Sequence, residues 1–355
     1  MLTGEWGIDR IGLPAAADDR LGVEWELGVA AAGLDVAARS LSLADGRSLA
    51  YDGLIVATGA SPRRLPGTDG LSGVHTLRTV DDVLAIRREL DAGARRVVVV
   101  GAGFIGAEVA ASCRTLGLDV TIVEPLPQPL ARVLGDRVGS VIASLHRTNG
   151  VDVRLGIGVD AVEGEGSVER VVLTDGSSVD ADLVVVGIGV VPNTSWLEGS
   201  GLTVDNGVLC DETTLAAPGV VAAGDVARWP NRLFDEVMRV EHWENALDMA
   251  AHAARRLLAE GRGEDPSGYV YSPVPWFWSD QYDRKLQLAG RPRPTDDLVV
   301  VAGGLDEERF CACYGRDGRA TAVIAVNMAG RVVRYRRALA DGLSWEQVLA
   351  DAAGT

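Results

Sequence analysis

The apolar positions of this chain change their spacing along its length, and each change marks an element. Residues 97–100 form a short, wholly apolar run, the pattern of a parallel strand covered on both faces. Gly-Ala-Gly-Phe-Ile-Gly follows at 101–106, and apolar positions then recur at helical spacing to about Leu116. A second apolar run, 120–123, ends in Glu124. The predicted order is strand, glycine turn, helix, strand, acidic residue. Ahead of this unit, residues 22–57 read as short strands with turn signals such as Asp45-Gly46, ending in YDGLIVATGA. Behind it, residues 203–225 repeat that style and end in VVAAGD. The central unit therefore reads as an insertion into a second domain. Residues 241–259 predict a helix with Arg255 and Arg256 near its C-terminal end, and 261–268 a polar linker. Beyond it the style changes again, to three tryptophans and short strands. A Gly315-Arg316-Asp317-Gly318 turn lies between the apolar runs 310–314 and 320–326, a hairpin signal within a small α+β C-terminal domain.

Composition refines this picture. At 355 residues the chain exceeds one ordinary domain, and 47% hydrophobic with 24% charged residues is a globular mixture. The expected domains are 1–75 with 195–267, 76–194, and 268–355. Forty-three glycines without a collagen period point to tight turns and close backbone approach. A net charge of −16 counts against broad binding of nucleic acid or anionic membranes. All but one of the 34 basic residues are Arg, the exception being Lys285. Cys113, Cys210, Cys311 and Cys313 are too scattered for a disulfide framework and read as buried apolar positions. His75, His146, His242 and His252 show no metal-ligand spacing, so no metal is expected. The N-terminal residues lack a signal pattern, and the longest apolar stretch, around 97–113, is interrupted by Glu108. The expectation is a soluble, cytoplasmic protein.

The glycine turn carries the first chemistry. Gly101 permits a tight turn, Gly103 lets the backbone approach a pyrophosphate, and Gly106 allows the helix to pack on the strand. With Phe104 and Ile105, these residues open a helix whose N-terminal N–H groups favour phosphate. Glu124 lies 18 residues past Gly106, placed to accept from both adenosine-ribose hydroxyls. No Arg follows within 125–130 to hold a 2′-phosphate, so NAD(H) is favoured over NADP(H). The alternative is a βαβ unit with a merely structural turn. The segments ending in Ala57-Thr58-Gly59 and Ala223-Gly224-Asp225 form a matched pair around this domain. Their small residues suggest a ligand lying close to the backbone at Thr58 and Gly59, though ordinary strand ends would read alike.

Together, YDGLIVATGASPRRLPG, HTLRTVDD, VVVVGAGFIGAEVAASCRTLGLDVTIVE, GIGVVPN, VDNGV, AAGDVA and PWFWSDQYDRKLQLAG resemble the FAD-dependent pyridine-nucleotide oxidoreductases. The resemblance is to the ferredoxin reductases serving bacterial cytochrome P-450 systems and aromatic-ring dioxygenases, and PWFWSDQY is its most specific part. It implies an α/β fold with two Rossmann-like, glutathione-reductase-like domains for FAD and NAD, plus the small C-terminal domain. It also implies roles residue by residue. Asp225 would accept from the FAD ribitol, Trp243 would lie beside the flavin ring, and Ala31 would lend backbone near the adenine. Arg78 would pair with the cofactor at the domain crossing, Glu108 would lie near the nicotinamide, and Gly189 would line the NAD cleft. Packing or surface roles remain the alternatives for Trp243, Arg78 and Glu108. The family carries two dinucleotide-binding βαβ units, whereas this chain has one glycine fingerprint, and Leu2-Thr3-Gly4 matches a point past the first unit. The FAD domain is therefore expected to be N-terminally truncated, and the family's flavin-side Lys falls upstream of Met1.

The activity so implied is transfer from NADH through FAD to an iron–sulfur ferredoxin. The alternatives are a non-catalytic NADH-binding protein without FAD, or a reductase of rubredoxin, quinone or oxygen. Arg331, Arg334, Arg336 and Arg337 cluster in GRVVRYRRA and would dock an acidic ferredoxin, unless they are an ordinary solvated face.

Overall fold

The computed structural model describes residues 1–12 and 21–354. The chain divides into two compact units: Met1–Arg10, Pro62–Val190 and Trp276–Thr355 form one, and Ile11–Ser61 with Val191–Pro275 the other.

The first unit holds a five-stranded parallel sheet of β1 (Val74–Thr76), β2 (Arg96–Val100), β3 (Asp119–Glu124), β4 (Asp152–Leu155) and β5 (Leu183–Val186), in the order β1-β5-β2-β3-β4. The apolar run of β2 follows from its cover. Val97 and Val99 face helices α1 (Val80–Asp91) and α2 (Phe104–Thr115), packing with Ile86, Val109 and Cys113. Val98 and Val100 face a three-stranded antiparallel layer, packing with Val168, Val171 and Leu173. Alternate side chains of a strand point to opposite faces, so a strand covered twice has no polar position. Helix α1 starts at a capping box in which Thr79 and Asp82 exchange side-chain and backbone bonds. Helix α3 (Ala131–Thr148) breaks its own geometry at Gly135, φ 71 and ψ 175.

The same unit contains a five-stranded antiparallel sheet of β6 (Trp276–Gln281), β7 (Arg284–Gly290), β8 (Asp297–Gly304), β9 (Arg309–Arg316) and β10 (Arg319–Val326), in the order β6-β7-β10-β9-β8. Asp317 and Gly318 both take left-handed backbone in the β9–β10 turn, as the Asp-Gly signal requires. Helices α4 (Ala329–Ala340) and α5 (Trp345–Ala353) follow. This sheet shares a core with α3, where Leu134, Val138 and Ile142 pack with Leu286, Phe310 and Ile324. The first ten residues belong to the same unit, where Arg87 Nη1 donates to Met1 O at 3.1 Å and Leu2 packs against the α1–α2 core.

The second unit combines an antiparallel ladder of Ala31–Asp35, Ser40–Leu43 and Ser48–Ala50 with a sheet ordered Leu215–Ala217, Val220–Ala222, Leu54–Val56. Its core gathers Val56, Val221, Trp229 and Met249, the last from the long helix Trp243–Gly261. Val220–Ala222 and Leu54–Val56 run parallel, with Leu54 opposite Val220 and Val56 opposite Ala222. Among the described residues, no helix is long and apolar enough to cross a membrane.

Candidate functional site

The glycine turn between β2 and α2 shows why three glycines are needed. Gly101 has φ 97, and a Cβ there would stand 2.5 Å from Gly187 O. At Gly106 a Cβ would stand 2.0 Å from Gly101 O, so helix and turn close on each other only without a side chain. Gly103 differs. Its φ is −72, it is the N-cap of α2, and a Cβ would meet only Gly187 O at 3.9 Å. The chain itself does not require glycine there, which leaves room in front of the first-turn N–H groups, a setting that favours phosphate. Phe104 and Ile105 supply backbone to that turn. The Phe104 ring packs edge-on against Phe277 at 4.5 Å between centroids, and Ile105 is exposed. Gly189 has φ 96 with open space where a Cβ would stand, and its carbonyl accepts from Arg63 N.

Glu124, at the end of β3, is buried and already engaged. Its Oε2 accepts from Ala102 N at 2.7 Å and its Oε1 from Leu126 N at 3.0 Å. The sequence assigns it to a ribose alone; the structure also makes it the fastening of the glycine turn. About two of its roughly four acceptor sites remain for hydroxyls. Glu108 sits on α2 beyond the turn, half-buried, where its Oε1 accepts from Asp280 N at 3.3 Å. Burial pushes its carboxyl above the usual range, and the neighbouring Ser279 hydroxyl and Asp280 N–H oppose that rise without cancelling it. Arg78 is exposed just ahead of α1, with its backbone N–H donating to Asp82 Oδ2 at 2.8 Å.

In the second unit the two small-residue turns emerge side by side, because the strands that precede them are parallel neighbours and Ala223 N donates to Val56 O at 3.0 Å. Thr58 Oγ1 donates to Asn193 O at 2.9 Å, and Asn193 Nδ2 returns a bond to Thr58 O at 2.8 Å. Asn193 N also donates to Gly59 O. This asparagine clamp was not singled out in the sequence, although it closes the GIGVVPN motif. Asp225 is buried directly after the positive-φ Gly224. Trp243 opens the long helix with 55% of its surface exposed, and Ala31 opens its strand half-buried.

The four arginines of GRVVRYRRA do not form one patch. Arg331 and Arg334 border a cleft of about 780 Å³ together with Arg309, which the sequence reading missed because it comes from the start of β9. Arg337 lies three residues on from Arg334, whereas Arg336 turns away to stack over Trp276 at 5.2 Å. A helix rotates about 100° per residue, so neighbours in sequence part company on its surface. All four cysteines are buried, and burial pushes Cys113, Cys210 and Cys311 up to about 12 and Cys313 also upward. Thiols so protonated are poor nucleophiles at neutral pH.

Residues 12–250 match the family described as pyridine nucleotide-disulphide oxidoreductase, and residues 276–354 the reductase C-terminal family. A ferredoxin–NAD(P)(+) reductase of Sphingomonas sp is 38% identical over 95% of this chain and 80% of its own length. The ferredoxin–NAD(+) reductase component of an anthranilate 1,2-dioxygenase system from Burkholderia cepacia is 38% identical over 95% and 82%. Among solved structures, the covalent putidaredoxin reductase–putidaredoxin complex matches with a TM-score of 0.88 and 33% identity, over 96% of this chain and 82% of that one.

Proposed function

This chain belongs to the pyridine nucleotide-disulphide oxidoreductases, in their ferredoxin reductase group, and we propose that it moves electrons from NADH through FAD to an iron–sulfur ferredoxin feeding a cytochrome P-450 or a ring-hydroxylating dioxygenase. The observation that carries the reading is the glycine turn, where Gly101 and Gly106 are demanded by the chain and Gly103 only by something lying against it. A flavin supplies the chemistry no side chain has, accepting two electrons and releasing them singly.

The first unit offers the NADH pyrophosphate a glycine turn, and the second offers FAD the side chains and backbone of its small-residue turns. In the first unit, Gly103 and the first-turn N–H groups of α2 hold the NADH pyrophosphate, Gly189 lines the cleft, and Glu124 presents its remaining acceptors to the adenosine ribose. A carboxylate there repels a 2′-phosphate, which selects NADH over NADPH. In the second unit, Asp225 accepts from the FAD ribitol, the backbone at Thr58 and Gly59 gives the cofactor close approach, Trp243 offers an aromatic face to the flavin, and Ala31 lends backbone to the adenine. Arg78 pairs with the cofactor. Glu108 is the catalytic candidate, a half-buried carboxyl that orients the nicotinamide.

The ferredoxin docks at Arg331, Arg334 and Arg337, with Arg309 added from the cleft and Arg336 left to its tryptophan. The test is an absorption spectrum of the chain with FAD, before and after anaerobic NADH. Flavin bands that bleach, followed by NADH-dependent reduction of a ferredoxin, are expected. A flavin that bleaches but passes no electrons to any iron–sulfur protein overturns the acceptor; no flavin uptake overturns the mechanism for this chain.

A further inference from the structure

The motif VDNGV, residues 204–208, takes no part in the proposed cofactor contacts. It runs into the short strand Val208–Leu209, which lies parallel to Ala227–Asn231, itself antiparallel to Glu236–Met238. Its glycine is demanded from two sides. Gly207 has φ 130, and a Cβ there would stand 2.7 Å from Val226 O and 3.1 Å from Arg239 Cδ. The first contact is with the residue after Asp225, the second with the stem of an arginine just past the third strand. Glycine at 207 therefore clears the path by which the Arg239 side chain runs to the turn that carries Asp225.

Arg239 ends on that turn. Its Nη1 donates to the backbone carbonyl of Asp225 at 3.2 Å and meets Glu241 Oε1 at 2.7 Å. One Nη1 carries two hydrogens, so both acceptors are served from a single atom. The arginine side chain keeps only 11% of its surface exposed, and its Nε is buried without a hydrogen-bond partner among the described residues. The two oxygens on Nη1 are what a buried cation needs, and losing either is costly. Glu241 stands two residues before Trp243, which opens the helix Trp243–Gly261, and Asn245 Nδ2 donates back to Val240 O at 3.4 Å. The Asp225 turn and the entry to this helix are thus joined through one nitrogen, across 14 residues of chain.

We propose that Arg239 is a positioning residue for FAD, which sets the spacing between the Asp225 carboxylate and the Trp243 ring, with Gly207 making room for its stem. The role toward FAD rests on the proposed contacts of Asp225 and Trp243; the link between turn and helix entry does not. Such a link is needed because the two residues come from separate segments and must meet two parts of one cofactor, the ribitol and the ring, at once. Hydrogen bonds weaken steeply with misplacement, so the carboxylate serves the ribitol only if its turn is held. Arginine suits the task, since its long stem and fixed fork of donors reach a carbonyl and a carboxylate together.

The test is hydrogen–deuterium exchange on the FAD-free chain, read in peptides covering 223–227 and 240–246, with FAD affinity measured in parallel by fluorescence titration. In Arg239→Met both segments are expected to exchange about tenfold faster while the parallel sheet of the first unit is unaltered, and the Kd for FAD to rise about tenfold. Glu241→Gln, which keeps an oxygen without its charge, should raise both by less, and Arg239→Lys should recover part of each. Unchanged exchange in folded Arg239→Met protein overturns the proposal. So does faster exchange spread through the whole second unit, the mark of a merely structural role. Should Arg239→Met not fold, Glu241→Gln and Arg239→Lys read the same link. Faster exchange in both segments with an unaltered Kd keeps the link and overturns its role toward FAD. An unsubstituted chain that binds no FAD overturns the proposed function and that role with it, while exchange still decides the link.

Discussion

Gly101, Gly103 and Gly106 stand within six residues and answer to different forces. Two are fixed by contacts inside the chain and one by the space it leaves. Gly106→Ala puts a methyl against Gly101 O and should cost about 2–4 kcal/mol, read as a lower melting temperature. Gly103→Ala should leave the melting temperature within a degree or two and weaken NADH binding at least about tenfold, read by fluorescence titration. Equal effects of the two substitutions on stability would contradict this division. The spacing of the three glycines was legible in the sequence. Their separate physical reasons were not, because Gly101 answers to Gly187, 86 residues further along the chain, and Gly106 to the closed turn that Gly101 makes.

At the scale of elements, α3 joins the parallel sheet to the antiparallel one, and it does so by bending. Gly135 lies in a backbone region open almost only to glycine, and a Cβ there would also meet Pro294 O at 3.2 Å. Gly135→Ala should therefore destabilise the unit by about 1–3 kcal/mol, measured as a lower urea midpoint at unchanged slope. The same helix carries His146, which burial pushes down to about 4. Its folded pKa lies below the unfolded one near 6.5, so its contribution is full above pH 6.5 and is lost as pH falls toward 4. Facing it are Tyr282 and Gln281, neither charged in that range. Urea stability should drop between pH 7 and pH 5, and His146→Gln should flatten that drop. The helix itself shows in the sequence as apolar periodicity; its kink and its partner sheet, about 150 residues downstream, do not.

For the whole molecule, the charge arrangement governs partners. A net charge of −16 repels an acidic ferredoxin at long range, so encounter depends on a local basic surface. Arg331→Glu with Arg337→Glu should raise KM for ferredoxin about tenfold at low ionic strength and flatten its salt dependence, while NADH oxidation by an artificial acceptor stays unchanged. Arg336→Glu should act far less on KM, since that guanidinium covers Trp276. Steady-state kinetics across a salt series separates the two. Four basic residues in seven suggested one patch. Helical rotation divides them, and only the tertiary fold brings Arg309 to their side.

Local pattern alone determined a good deal of this protein: the parallel strands, the glycine turn and the acidic residue after it. Each follows from side-chain spacing or backbone freedom over a few residues. Tertiary structure decided which distant segments share a core, and so merged the C-terminal sheet with the nucleotide unit through α3. It also decided that Asn193 clamps Thr58 and that Asp280 N reaches Glu108. Hydrogen bonds between residues more than a hundred positions apart leave no periodicity to read, because they depend on where the chain returns and not on how it begins.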